Sequence, residues 1–305
     1  FKNSGYYLFD TNTKQNWSEY YRYYAKREYT DDIIIKCDDD IIFIDLSKFD
    51  EYIGFVRTTQ NNVVFANIIN NGVAAYYQQT KYELIPRALD LYEYPDGGFC
   101  GTLWTSGKKA ERLHDYFLKN YPLFLNYSYQ KEDVPILTRI SINFFAVKGS
   151  DWGKIKDAGV GDDEYNISDL YVKNGTLNNC MYSAFYVSHL SFGRQDIEFQ
   201  HKDAYLQRYD KLFHRIYNDD CSEFETEEIF PFVKLSKRQR KLAADWKIEN
   251  KKKQRIVFVE SFLDNSIPWN GRIMREECGL SGTHTAAVFM AELFAATGNY
   301  EVSFI

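Results

Sequence analysis

The fold of this chain is decided by the stretch Asp31-Asp32-Ile33-Ile34-Ile35-Lys36-Cys37-Asp38-Asp39-Asp40-Ile41-Ile42-Phe43-Ile44-Asp45. Three acidic residues, Asp38 to Asp40, lie between two short runs of apolar, mostly β-branched residues. This pattern is typical of a buried strand that ends at a site and is followed at once by another strand. Because unpaired buried carboxylates are costly, three in succession need cations or solvent around them.

A divalent cation, Mn²⁺ or Mg²⁺, satisfies this need most simply. In an extended segment Asp38 and Asp40 point to the same side, so both carboxylates can reach one ion while Asp39 points away. The alternative is an acidic turn between two strands. The apolar β-formers packed against both ends of the triplet favour a site, because solvated turns rarely have such flanks.

Composition excludes some classes of function. The chain has 305 residues, 45% of them apolar and 26% charged, as in a soluble globular protein of one large or two ordinary domains. A net charge of −6 argues against a nucleic acid as the main partner. No apolar run approaches the length of about 18 residues that a membrane span needs. The five cysteines form no Cys-x-x-Cys pair, which predicts a reducing, cytoplasmic location.

Strand-like and helix-like stretches alternate along the first two thirds of the chain, which indicates the α/β class. Strands are predicted over Ile53–Val56, Val63–Ile69 and Leu137–Phe145, and helices over Ala74–Gln79 and Lys109–Asn120.

Two further segments could contact a ligand. A helix predicted over Trp17–Lys26 places Trp17 and three tyrosines along one stripe, which belongs either to the core or to a shelf for a ligand. Gly97, Gly98 and Gly101 follow Pro95 closely and allow a ligand to approach the backbone, as in a substrate loop; a plain turn is the alternative.

A second acidic cluster, Asp162-Asp163-Glu164, follows two glycines and precedes a helix-like segment. We expect these carboxylates at a loop or a helix N-terminus. His189 lies in the apolar run Ala184–Gly193, where a lone histidine is usually a core residue. Beside a metal site it becomes a candidate third ligand.

The predicted domain boundaries follow the charge pattern. Residues 1–230 form the first domain, and 231–254 form a charged helical linker. Residues 255–305 begin a second domain as a βαβ unit, with strands at Arg255–Phe262 and Tyr300–Ile305 and a helix over His284–Thr297. Because the chain starts at Phe1 and stops after a strand-like run, we expect it to be a segment of a longer polypeptide.

Two carboxylates on one metal, a glycine loop, a second acidic cluster and a late histidine suit a diphosphate substrate. A cation held by one or two carboxylates keeps positions open for phosphate oxygens and neutralises a diphosphate leaving group. Asp163 or Glu164 would take a proton from an acceptor hydroxyl. Together these parts predict glycosyl transfer from a nucleotide-sugar.

The motifs resemble those of GT-A fold glycosyltransferases. Ile35–Ile41 is similar to their Asp-x-Asp strand, Asp162–Glu164 to the acidic motif that supplies a catalytic base, and His189 to their late metal-ligand histidine. The resemblance implies a Rossmann-like mixed central sheet flanked by helices, a UDP-sugar donor and a glycan acceptor. It also implies a metal site at Asp38, Asp40 and His189. The candidate donor-site residues are Lys36, Asp38 and Asp39 from the acidic stretch, Trp17 from the aromatic stripe, and Gly97 and Gly98 from the glycine segment. One departure is that only 37 residues precede Asp38, fewer than the nucleotide-binding half of such enzymes.

The C-terminal segment Gly279–Ala287 resembles the first βα unit of a GT-B glycosyltransferase. A GT-A module followed by a second transferase resembles the multi-domain glycosyltransferases of large DNA viruses, which implies a host cytoplasm.

Two other functions use the same residues. A metal-dependent phosphoryl-transfer enzyme or nuclease would use the carboxylates as a two-metal site, but it needs a basic channel that the acidic balance of residues 1–230 does not offer. A non-catalytic carbohydrate-binding module would use the aromatic stripe instead.

Overall fold

A computed structural model of the chain describes residues 19–89, 101–125 and 133–217, together with the backbone of 254–258 and 300–304. This part of the chain is an α/β structure with a mixed sheet flanked by helices, which confirms the predicted class. Most of the predicted linker (231–254) and the helix predicted over His284–Thr297 lie outside the described residues. No helix of the described residues is long and apolar enough to cross a membrane.

The strands and helices of the described residues follow in chain order. The strands are β1 (Ile33–Cys37), β2 (Ile41–Ile44), β3 (Val63–Ile69), β4 (Asp133–Pro135), β5 (Phe144–Lys148), β6 (Asn179–His189), β7 (Gln254–Phe258) and β8 (Tyr300–Phe304). The helices are α1 (Glu19–Tyr23), α2 (Leu46–Thr58), α3 (Gly72–Thr80), α4 (Thr102–Thr105), α5 (Gly107–Leu125), α6 (Gly149–Trp152), α7 (Asp163–Tyr165), α8 (Tyr171–Lys173) and α9 (Lys202–Tyr217). A π-helical turn, Asn166–Leu170, joins α7 to α8.

The main sheet has the order β1-β5-β3-β6-β2, and β4 pairs with β6 beside this path. β5 runs antiparallel to both β1 and β3, whereas β3 runs parallel to β6. Consequently β1, β3 and β6 all point in one direction. β7 and β8 form a separate parallel pair, as the predicted βαβ unit requires.

Apolar cores cover both faces of the sheet. Every residue of β3 and of β6 is buried, which explains their nearly continuous apolar sequences. Along β6, Phe185 and Val187 join the core under α2, while Tyr186 joins the core under α5 and α9. This alternation places the sheet between two layers of helices.

Two of the predicted strands are corrected by the structure. Ile53–Val56 belongs to α2, which begins where the Asp45 side chain accepts a hydrogen bond from the backbone N–H of Ser47. The buried residues of this helix recur at spacings of three and four and form one stripe, which consists of Phe49, Tyr52, Ile53 and Val56. The apolar run therefore marked one face of a helix.

In the second case the strand is shorter and later than predicted. Within Leu137–Phe145, β pairing begins only at Phe144 and continues to Lys148. Leu137 is 72% exposed. The predicted β3 and the helices predicted over Ala74–Gln79 and Lys109–Asn120 are confirmed; they lie in β3, α3 and α5.

The predicted aromatic helix is helical over Glu19–Tyr23 within the described residues. Its tyrosines belong to the core, as one of the two predicted alternatives requires: Tyr20, Tyr21 and Tyr24 are buried. Tyr21 stacks on Trp152 with 5.9 Å between the ring centroids. This packing holds α1 against the main sheet.

Candidate functional site

The candidate site lies at the end of the sheet where its three codirectional strands finish. β1 ends at Cys37, β3 at Ile69 and β6 at His189. In α/β sheets, ligands bind outside the carboxyl ends of such strands. The segment Asp38–Asp40 follows β1 directly and leads into β2, whose first residue, Ile41, pairs with His189. Strand pairing thus brings the acidic segment beside the histidine, although 148 positions separate Ile41 from His189 in sequence.

Asp38, Asp40 and His189 form a group able to hold a metal ion. One ligand atom from each residue lies within 4.8 Å of the other two. His189 Nε2 lies 2.9 Å from Asp40 Oδ2. Among the described residues, no hydrogen-bond partner reaches the buried atoms Asp40 Oδ1 and His189 Nδ1. Since a buried polar atom without a partner is costly, these two orphaned atoms suit a cation.

The donor set of two carboxylates and one imidazole suits Mn²⁺ better than Mg²⁺, which prefers oxygen ligands alone. Burial disfavours the imidazolium form of His189, but the charge of Asp40 and its hydrogen bond outweigh burial and raise the pKa of His189. Because metal ligation needs a neutral imidazole, a bound cation would displace the proton that the charge of Asp40 favours on His189.

Asp38 is held by a lysine from β1, the strand that precedes it. Lys36 Nζ donates to Asp38 Oδ1 and, at 2.9 Å, to the carbonyl oxygen of Ile142. Burial raises the pKa of Asp38, with Lys36 opposing the rise. On the other oxygen, Asp38 Oδ2 accepts from Asn143 Nδ2 at 3.1 Å. Lys36 thus supplies a buried positive charge at the point where an anionic donor was predicted to bind.

The second acidic cluster faces the same end of the sheet. The ammonium group of Lys36 interacts electrostatically with Asp38 and with Asp163. Asp163 Oδ2 accepts a hydrogen bond of 3.0 Å from the hydroxyl of Tyr21, and its other oxygen accepts from the backbone N–H of Glu164. The fold therefore joins the two acidic motifs through Lys36.

No family model, no curated protein and no solved structure matches this chain. The candidate site is therefore defined by its own residues and their geometry.

Glu164 and Asp162 are held by one arginine. Arg139 Nε donates to Glu164 Oε1 at 2.7 Å, and a terminal nitrogen of Arg139 donates to Asp162 Oδ2 at 2.7 Å. Burial raises the pKa of Glu164, and the arginine opposes the rise. Asp162 also caps α7 by accepting from the backbone N–H of Tyr165. Of the three acidic residues, Asp163 is the one whose carboxylate accepts a hydrogen bond from Tyr21, and both Asp163 and Glu164 interact electrostatically with Lys36.

The wall of the site on the His189 side is aromatic. The ring of Phe192 lies 4.4 Å from that of His189, centroid to centroid, and Trp104 lies 6.4 Å from Phe192. Trp104 lies in α4, directly after the glycine-containing segment that was predicted to contact the substrate. Of that segment's three glycines, Gly97 and Gly98 lie outside the described residues, and Gly101 is the N-cap of α4.

The predicted site residues have different outcomes. Lys36, Asp38, Asp40, Asp163 and His189 are brought together at one end of the sheet. Asp39 is half-buried in the same segment and is not part of the metal group. Trp17 lies outside the described residues.

Sequence reasoning missed Tyr21 as a partner of Asp163 and Arg139 as the partner of Glu164. Tyr21 was noticed as a member of the aromatic stripe, but its hydroxyl contact spans 142 positions of sequence. Arg139 carries no local signal, because its position beside the acidic cluster depends on how the chain enters β5.

Proposed function

We propose that the chain is a metal-dependent glycosyltransferase of the GT-A type, which moves a sugar from a nucleotide-diphosphate sugar to a hydroxyl acceptor. The observation that carries the proposal is the group Asp38, Asp40 and His189 at the carboxyl ends of the strands. Lys36 adds a positive charge beside it, and Asp163 adds a carboxylate. These are the parts that an anionic donor and a nucleophilic hydroxyl require.

Asp38, Asp40 and His189 would hold Mn²⁺, with Mg²⁺ as the weaker alternative. Once bound, the ion supplies positive charge that stabilises a departing diphosphate. Lys36 binds the same anionic groups from the protein side. Its stem is buried, so the ammonium group is kept in place before the donor arrives.

We assign the general base to Asp163. It would accept the proton of the acceptor hydroxyl while Tyr21, which donates to its Oδ2, fixes its orientation. Glu164 is a weaker candidate because its Oε1 is paired with the positively charged Arg139 at 2.7 Å, whereas the two hydrogen-bond donors to Asp163 are neutral. Arg139 and Glu164 then act as positioning residues that fix the turn carrying Asp163.

Finding one ligand group among the described residues also argues against phosphoryl transfer by two metals. Two-metal sites hold their ions about 4 Å apart and need carboxylates shared by both. Within the described residues, one group of three ligand atoms meets the distances for an ion, and neither Asp163 nor Glu164 belongs to it.

A thermal-shift panel tests the proposal. The chain is heated with UDP, GDP, CDP or the corresponding nucleotide-sugars, each with and without Mn²⁺. A ligand that binds only the folded state raises the free energy of unfolding by mass action, by about 2.7 kcal/mol at a hundredfold excess over Kd. We expect a shift that needs both Mn²⁺ and one nucleotide.

Two variants complete the panel. Asp40→Asn removes one ligand charge and should abolish the shift that depends on Mn²⁺. Asp31→Asn makes the same chemical change at an exposed residue seven positions before Asp38, so its shift should equal that of the unaltered chain. A Mn²⁺-dependent shift that survives in Asp40→Asn would refute the assignment of the metal site.

A further inference from the structure

The backbone that follows His189 is fixed at both of its polar groups. The backbone N–H of Leu190 donates to the carbonyl oxygen of Asp40 at 2.9 Å. The carbonyl oxygen of Leu190 accepts from two side chains, Asn70 Nδ2 and His114 Nε2, each at 2.9 Å. Hydrogen bonds from three different segments therefore meet at the residue next to a candidate ligand.

His114 lies in α5 and is fully buried. Because a carbonyl oxygen only accepts, the ring nitrogen Nε2 that faces Leu190 must carry the proton. Nδ1 then accepts from the hydroxyl of Tyr209, 2.8 Å away. Both nitrogens are used in the neutral form, and burial lowers the pKa of His114 to about 4. This histidine is thus a permanent donor at neutral pH, and the proposed reaction does not use it otherwise.

Asn70 follows β3 directly and has a left-handed backbone, with φ of 66°. Its amide is paired with that of Gln195 in both directions, at 3.0 and 2.9 Å. Gln195 in turn accepts from the backbone N–H of Phe192. The turn after His189 is therefore held from inside by a buried pair of amides.

The next residue, Asn71, reaches the other half of the metal group. Its Nδ2 donates to Asn143 Oδ1 at 3.3 Å and to the carbonyl oxygen of Ser141 at 3.2 Å. Asn143 Nδ2 then donates to Asp38 Oδ2 at 3.1 Å. Two consecutive asparagines at the end of β3 thus support opposite sides of the metal group, one toward His189 and the other toward Asp38.

We propose that Asn70, Asn71 and His114 are positioning residues that set the distance and orientation of the metal ligands. The inference rests on the metal site of the proposed function and assigns to it a supporting set that no sequence motif marks. All three side chains are buried, and burying an amide or an imidazole that makes no hydrogen bond is costly. Partners that orient ligands in this way are worth about 10–100-fold in metal affinity.

The test compares variants that keep or remove one hydrogen bond. His114→Gln can still donate to Leu190 and accept from Tyr209, whereas His114→Leu can do neither. Asn71→Ser keeps the cap of α3, where Asn71 Oδ1 accepts from the backbone N–H of Ala74, and loses the reach to Asn143. If His114→Leu does not fold, Asn71→Ser decides the result.

Mn²⁺ binding is measured by electron paramagnetic resonance, and the ligand geometry by the visible absorption of bound Co²⁺. We expect His114→Leu and Asn71→Ser to weaken Mn²⁺ binding by about tenfold or more and to shift the Co²⁺ bands, with His114→Gln within about threefold of the unaltered chain. The Co²⁺ bands report geometry, which a loss of stability alone would not change.

The outcomes separate this inference from the proposed function. If the unaltered chain binds Mn²⁺ and both disrupted variants bind it equally well with the same Co²⁺ spectrum, the positioning role is refuted and the metal site stands. If the unaltered chain binds neither ion, the metal site and the positioning role are both refuted.

Discussion

Acidification should destabilise this protein through one buried histidine. The pKa of His114 is about 4 in the folded state and about 6.5 in an unfolded chain. The unfolded state therefore binds a proton first as the pH falls. The stability that neutral His114 contributes is fully present above about pH 6.5 and is lost progressively as the pH falls through the folded-state pKa.

The two pKa values set the size of the effect. Linkage gives a loss of about 2 kcal/mol between pH 7.5 and pH 5, rising to about 3 kcal/mol at pH 4. His189 acts in the opposite direction, because Asp40 raises its pKa against the effect of burial. The stability that protonated His189 contributes is present below its pKa in the unfolded chain, and it is lost as the pH rises through its pKa in the folded protein.

A matched variant separates the two histidines. We expect the free energy of unfolding, measured by urea denaturation from pH 7.5 to pH 5, to fall more steeply in the unaltered chain than in His114→Gln, by about 2 kcal/mol. Carboxylates and His189 titrate in both proteins, so their contributions largely cancel in the difference. Nuclear magnetic resonance of the ring protons would refute the reasoning if His114 titrates near pH 6.5 in the folded protein.

Two further predictions concern the base and the support of the turn after His189. Asp163→Asn should lower the rate of nucleotide release from the donor by about 10²–10⁴-fold and should change Mn²⁺ affinity much less than Asp40→Asn does, because it removes a base and not a ligand; full activity would exclude Asp163 as the base. Gly107→Ala should lower the free energy of unfolding by about 1–3 kcal/mol, since its Cβ would lie 2.4 Å from the carbonyl oxygen of Gln195. Gly54→Ala is the control in the same urea assay, because apart from the neighbouring backbone of α2 no atom lies within 4 Å of the new Cβ. It should raise the free energy of unfolding by about 0.5–1 kcal/mol, and equal effects of the two substitutions would contradict the packing argument.

The elements that the sequence predicted correctly are those whose signal is local. The acidic triplet is preceded and followed by strands because each apolar run is long enough to be buried without reference to the rest of the chain. β3 and α5 were likewise recognisable from their own residues. Ile53–Val56 had a local signal that was misread: Asp45 as a cap and buried positions at helical spacing both marked α2.

Other features depend on partners that the sequence does not show. Leu137–Phe145 is apolar enough for a strand, but a strand exists only where a neighbour offers backbone groups, and β1 and β3 do so from Phe144 onward. The contacts of Tyr21 with Asp163 and of Asn70 with Leu190 span 142 and 120 positions. Most residues that support the candidate site are ordinary polar residues without a sequence motif. Only the tertiary fold brings them to the site.

Charge balance at the end of the sheet explains why one divalent ion suits this arrangement. Among the described residues, the carboxylates of Asp38 and Asp163 interact with the ammonium group of Lys36, and the carboxylate of Asp40 lies beside Asp38 in the metal group. A proton on His189 reduces the excess negative charge but does not cancel it. If a divalent ion replaces that proton, the positive charges of the ion and Lys36 together equal the negative charges of the three carboxylates. Because unbalanced charge is costly in a buried site, the fold should favour the ion over the proton, and Mn²⁺ should raise stability most where His189 would otherwise be neutral.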